Sequence, residues 1–262
     1  MFYPILEIEE FEGFTNVFNF PPNNWELKKK YVRKKFLNLT WIEQGRWITR
    51  NIAEVKVNER FEITKKDVLK ITNTSNFKLL SLTDEFIDEK NEKLPNINDK
   101  FLTKNPSWRA SIGLKLGDAI TSYQGEIYPF PNKGSTLSLC PFLQFDKENI
   151  KNLLVFLNLE SNPVFRKCNL GIYESNKKKL IKNETVFSNK INIIDLNNIS
   201  YDHEKSYLII KTDNILGVPL YVSYSLIDNS LSIEHTHPPG SFSLLGDRRK
   251  IQNYIKQNFD DI

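Results

Sequence analysis

The sequence predicts a mainly β protein: an antiparallel β-sandwich, jelly-roll-like, with a C-terminal amphipathic helix and a β-rich N-terminal region. Three observations carry this. From Gly45 onward, short runs of β-branched and aromatic residues recur between turn-forming residues. No helical period separates these runs until the end of the chain, which excludes an alternating α/β plan. Residues 217–240 then read as a hairpin that stops hard at Pro238-Pro239-Gly240.

Taken in order, the first 45 residues resist placement. Phe11, Phe14, Phe18 and Phe20 precede Pro21-Pro22, and Trp25 to Phe36 is lysine-rich around Leu27, Tyr31 and Val32. Residues 47–57 alternate as a strand does, and Phe61 and Ile63 begin another. Asp67–Ile71 and Phe77–Leu82 are short apolar runs. Thr83 to Pro106 is polar and reads as a linker or long surface loop. The expected division is therefore 1–100, a β-rich N-terminal region, and 107–262, the sandwich with its helix. Trp108–Leu116 alternates and turns at Gly117-Asp118, Ile120–Tyr128 follows, and a strand is expected over 136–145. Leu153–Leu159 is almost continuously apolar, as expected of a central strand buried on both faces. Strands are also expected at 170–173, 180–187, 191–196 and 207–212. Asp247 can cap a helix whose Ile251, Tyr254, Ile255 and Phe259 share one face. No repeat is evident in the sequence.

In the terminal hairpin, a two-residue loop at Asp228-Asn229 opposes Leu226 to Leu231, Tyr224 to Ile233, Val222 to His235 and Leu220 to His237. Side chains alternate faces, so both histidines fall on an apolar face expected to point inward. Two neighbouring imidazoles there should resist protonation, by desolvation first and mutual repulsion second.

The composition excludes several classes. With 262 residues, 40% hydrophobic, the chain can bury a substantial core. A net charge of +4 with no concentrated basic element argues against nucleic acid as partner. Cys140 and Cys168 are too few for a disulfide framework or a cysteine zinc cluster and read as two buried small side chains. No signal peptide or membrane span is evident, so the cytoplasm is the expected compartment. Phosphate loops, dinucleotide-binding glycine runs and Gly-x-Ser-x-Gly elbows are absent from the sequence.

Two constellations could carry function. Trp108, Arg109, Tyr123, Gln124 and Glu126 combine flat rings with hydrogen-bonding groups, which suits a polar small molecule, a carbohydrate or related glycan. This ligand-binding reading is the leading expectation. His235 and His237, at strand spacing, could instead hold a divalent metal (zinc or iron) in a hydrolase-like enzyme. Asp213 and Asp247 are the candidate further ligands, and His203 falls at the wrong end of the expected meander. His235-Thr236-His237-Pro238 with Ser243 and Asp247 resembles the zinc motif of JAB/MPN-type metallopeptidases, in which two histidines and an aspartate hold zinc. Ser243 to Asp247 is one residue longer than in that motif, and His237 to Asp247 one shorter. A structural or assembly role, through strands that pair with a partner, is the third reading.

Overall fold

A computed structural model describes residues 1–20, 34–72, 74, 77–96, 109–140, 146, 148–202 and 206–235. The chain is mainly β, and every strand pairing described is antiparallel. It divides into two compact units. One comprises Met1–Pro129 with Glu160–Val164, the other Phe130–Leu159 with Phe165–Ile262.

The first unit holds strands β1 (Tyr3–Pro4), β2 (Glu12–Phe18), β3 (Lys35–Glu43), β4 (Arg46–Val55), β5 (Arg60–Thr64), β6 (Leu79–Thr83), β7 (Asp88–Asn91), β8 (Arg109–Leu116) and β9 (Ala119–Gln124), with one short helix, α1 (Lys65–Leu69). They form two open sheets of order β1-β6-β3-β4-β7 and β5-β2-β8-β9. The two sheets share a core: Leu37, Leu39, Trp41 and Leu80 of one cluster with Val17, Ile63 and Ala110 of the other. The segment Asp67–Ile71, which reads as an apolar run, begins in α1. Thr64 caps it, accepting from the Asp67 amide at 3.3 Å, while the Asp67 carboxylate accepts from the Thr64 amide at 3.2 Å. A polar cap outweighs the β-branched residue that follows, because it satisfies two otherwise orphan amides.

The second unit holds β10 (Leu137–Leu139), β11 (Ile150–Leu157), β12 (Lys167–Glu174), β13 (Lys179–Phe187), β14 (Ile191–Asp195), β15 (Leu208–Thr212), β16 (Val218–Ser225) and β17 (Leu231–His235). Its sheets run β10-β15-β12-β13 and β14-β11-β16-β17. Leu154, Phe156, Ile194 and Tyr221 of the second sheet share a core with Leu170, Ile172, Leu208 and Ile210 of the first. β11 is central, as its unbroken apolar run predicts. Cys140 and Cys168 are free and buried, and burial pushes the Cys140 thiol up to about 12.

The two units repeat one plan. Matching β1–β6 to β10–β15, and β8–β9 to β16–β17, turns the order β1-β6-β3-β4 into β10-β15-β12-β13, and β5-β2-β8-β9 into β14-β11-β16-β17. Only β7, on the outer edge of β4, has no counterpart among the described residues. The repeat is topological, since the sequence shows no matching pattern. β8, which opens the 107–262 region of the sequence division, pairs with β2.

The terminal hairpin departs from its expected register. Leu220 opposes His235, Val222 opposes Ile233 and Tyr224 opposes Leu231, two residues away from a loop at Asp228-Asn229 alone. Ser225 closes the loop instead, its amide donating to Ser230 O at 2.9 Å. The Ser225 hydroxyl accepts from the amides of Ile227 and Asp228 at 3.2 and 3.3 Å. Asn229 alone in this loop has a positive φ, 57°, whereas a two-residue type I′ turn needs two. A shift of two residues preserves which side chains share a face. The faces are reversed, however. Tyr221 enters the core, so Leu220, Val222 and His235 lie on the outer side of the sheet. β15 belongs to the other sheet, so the expected meander of three consecutive strands does not form. The expected helix at 247–259 lies outside the described residues.

Asp228 gives this loop a pH dependence. The Ser225 hydroxyl first, then the Ser230 amide and hydroxyl, hold its carboxyl down to about 2. A depressed carboxyl stabilises the fold above its unfolded pKa, and that contribution is lost as pH falls through the folded one. Asp228→Asn is therefore expected to lower the urea midpoint at pH 7, with the gap to the parent closing between about pH 4 and pH 2. Parallel midpoint curves for the two proteins across that range would refute the assignment.

Candidate functional site

The site is built on the outer face of β5-β2-β8-β9. Val17, Ile63 and Ala110 point into the core, so the alternate residues point outward. One cross-strand row there carries four hydrogen-bonding side chains. Glu62 opposes Asn16, Asn16 opposes Ser111, and Ser111 opposes Gln124. The next row is Thr64, Phe14, Gly113 and Ser122. A Cβ on Gly113 would fall 2.3 Å from Phe14 Cζ. The glycine thus gives the Phe14 ring room to lie across the neighbouring strand.

Lys115 joins the two rows. Its Nζ is 4.7 Å from the centre of the Phe14 ring and donates to Glu62 Oε1 at 2.8 Å. That bond, assisted by Asn16 and opposed by desolvation, holds the Glu62 carboxyl below the usual range. Glu62 is therefore an ionised acceptor at neutral pH. The pair is about one-third exposed on each side, 27% and 32%, so it leaves the face locally neutral without contributing much stability. Asn16 is 6% exposed, and its Oδ1 has no hydrogen-bond partner. Ser122 and Gln124 are exposed. The face thus grades from one buried acceptor on β2 to open amide and hydroxyl groups on β9.

Of the residues singled out in the sequence, Gln124 lies in this row. Arg109 opens β8 at the register position opposite Phe18. Tyr123 lies on the opposite face, opposing Ile112, with its ring against Gly125. Burial, then the charge of Glu126, raises its phenol pKa. Glu126 itself is exposed beyond the end of β9. Trp108 lies outside the described residues. Sequence reasoning missed Phe14, Asn16, Glu62, Ser111 and Lys115 because they come from three strands distant in sequence. The alternation Phe14-Thr15-Asn16-Val17-Phe18 was the available signal for β2.

The candidate metal ligands are not assembled in what is described. His235 is half-buried on β17. Asp213 is exposed beyond β15, in the other sheet, with its amide donating to Asn169 O at 2.9 Å. His237, Asp247 and His203 lie outside the described residues. Among the described residues, no group of three or more His, Cys, Asp and Glu is placed to hold a metal ion. No described helix is long and apolar enough to cross a membrane.

No family model, curated protein or solved structure matches the chain.

Proposed function

We propose that the protein binds a neutral, hydroxyl-rich small ligand of carbohydrate type on the outer face of β5-β2-β8-β9, each unit being an antiparallel β-sandwich. The observation that carries this reading is the row Glu62, Asn16, Ser111 and Gln124 beside the Phe14 ring. The ionised Glu62 carboxylate accepts from ligand hydroxyls, and the Gln124 amide and Ser111 hydroxyl can donate or accept. Phe14 is 3% exposed and packs against Lys115, so it shapes the floor of the row and does not itself contact the ligand. Because Lys115 and Glu62 neutralise each other, the face favours neutral ligands over carboxylated or phosphorylated ones.

The test is a glycan array followed by calorimetry on the ligands found. A hydrogen bond to a charged group contributes roughly 1.5–3 kcal/mol, so Glu62→Gln is expected to weaken binding at least about tenfold. Gln124→Ala, at an exposed position, should weaken it several-fold with the circular dichroism unchanged. An array without hits, or hits whose affinity is indifferent to both substitutions, would refute the reading.

A further inference from the structure

In the second unit, the sheet equivalent to the ligand-binding one has an outer face of opposite character. Leu154, Phe156 and Tyr221 point into the core. Alternation puts Leu153, Val155 and Leu157 of β11 on the other side, with Leu220 and Val222 of β16 and Ile233 of β17. Cross-strand pairing joins Leu153 to Val222, Val155 to Leu220 and Val222 to Ile233. All six belong to none of the described core clusters, yet none exceeds 7% exposure. Six apolar side chains joined across three strands of an outer face reach such burial only when something covers them. On the equivalent face of the first unit Phe14 is equally buried, at 3%, but against the Lys115 side chain, and its neighbours Asn16, Glu62, Ser111 and Gln124 are polar.

We propose that the cover is the chain's own C-terminal segment, residues 247–259, docked across β11, β16 and β17 through Ile251, Tyr254, Ile255 and Phe259. Two observations select it. Among the described strands β17 pairs with β16 alone, so His235 ends an edge strand of that set and the chain continues from it. The spacing of the four apolar residues makes one helical stripe, with Lys250, Asn253 and Lys256 off it. The dimensions agree. A helix over 247–259 is about 20 Å long, against roughly 26 Å for β11 at about 3.3 Å per residue. Residues 236–246 span up to about 35 Å extended, while four strands at about 4.8 Å cover less than half of that.

The full chain carrying Tyr254→Asp and Phe259→Asp tests this. The expected result is a several-fold rise in fluorescence of an apolar-surface dye, reversed by adding a synthetic peptide of residues 241–262. Parent-like dye binding in the double variant, or no response to the peptide, overturns the proposal. If the double variant fails to fold, a photoreactive phenylalanine at position 254 of the otherwise intact chain decides. Cross-links to residues 150–157, 218–225 or 231–235 of the same chain support the docking. Cross-links to a second copy, or to other segments, overturn it.

Discussion

Lys35→Met is expected to destabilise the protein by about 3–5 kcal/mol, the cost of breaking a buried ion pair by removing one partner. Lys35 opens β3, and its Nζ is bonded to the carboxylate of Asp84, with side-chain exposures of 3% and 7%. The pair closes the end of the β3–β6 ladder, where Phe36 opposes Thr83. Methionine keeps the length of the stem but not the charge, so the Asp84 carboxylate is left desolvated without its cation. The loss is a large share of a total stability of roughly 5–15 kcal/mol.

The double variant Lys35→Met, Asp84→Leu separates the two contributions to that loss. Replacing both members of a buried pair by apolar side chains is often neutral, because the desolvation penalty disappears along with the attraction. Most of the stability should return, giving a coupling of opposite sign to the single losses. Urea melts of the parent, both single variants and the double variant measure it. A Lys35→Met loss below about 1 kcal/mol would mean that the pair is solvated, as ordinary surface pairs are.

The strands were legible where local pattern decides them. β8, β9 and β11 follow alternation or continuous apolarity, and the Gly117-Asp118 turn falls where expected, with Leu116 opposite Ala119. The short helix was misread because its cap is polar chemistry rather than periodicity. In the hairpin, sequence alternation correctly grouped Leu220, Val222 and His235 on one face. It put the Leu220 face inward because the Tyr221 face, with Ser223, Ser225, Ser232 and Glu234, is the more polar one; in the structure both faces of β16 are buried, Tyr221 at 2% and Leu220 at 0%. What covers a face is a tertiary fact, and no strand pattern encodes it.

The candidate site was legible only at Gln124. Its neighbours in the row come from β2, β5 and β8, and cross-strand register is set by pairings between distant segments. The duplicated plan was hidden for a related reason. Topology depends on which strands pair, whereas side chains need only keep their burial. Val17 in one unit and Phe156 in the other both lie on the second strand of the plan and point to the core, although their volumes differ greatly. The outer faces are free to diverge further, one polar at Asn16 and Glu62, the other apolar at Val155 and Leu220.

Phe156→Ala should cost about 3–5 kcal/mol, comparable to the loss of the buried lysine but with a different mechanism. Phe156 is 0% exposed and lies in the core cluster with Leu154, Leu170, Ile172 and Tyr221. Its ring extends over Gly217, where a Cβ would fall 2.4 Å from Phe156 Cζ, so the backbone there has been kept bare to admit it. Truncation removes the transfer free energy of the ring and leaves a cavity between two hydrogen-bonded sheets, which can relax only partly. Phe156→Leu keeps more of the volume and should cost clearly less, which separates cavity formation from a general intolerance of substitution. Denaturant melts read both, with an unchanged slope showing that the exposed surface on unfolding is the same. If alanine and leucine cost the same, or alanine costs less than about 1 kcal/mol, the Phe156 ring does not fill the core in the way the cluster implies.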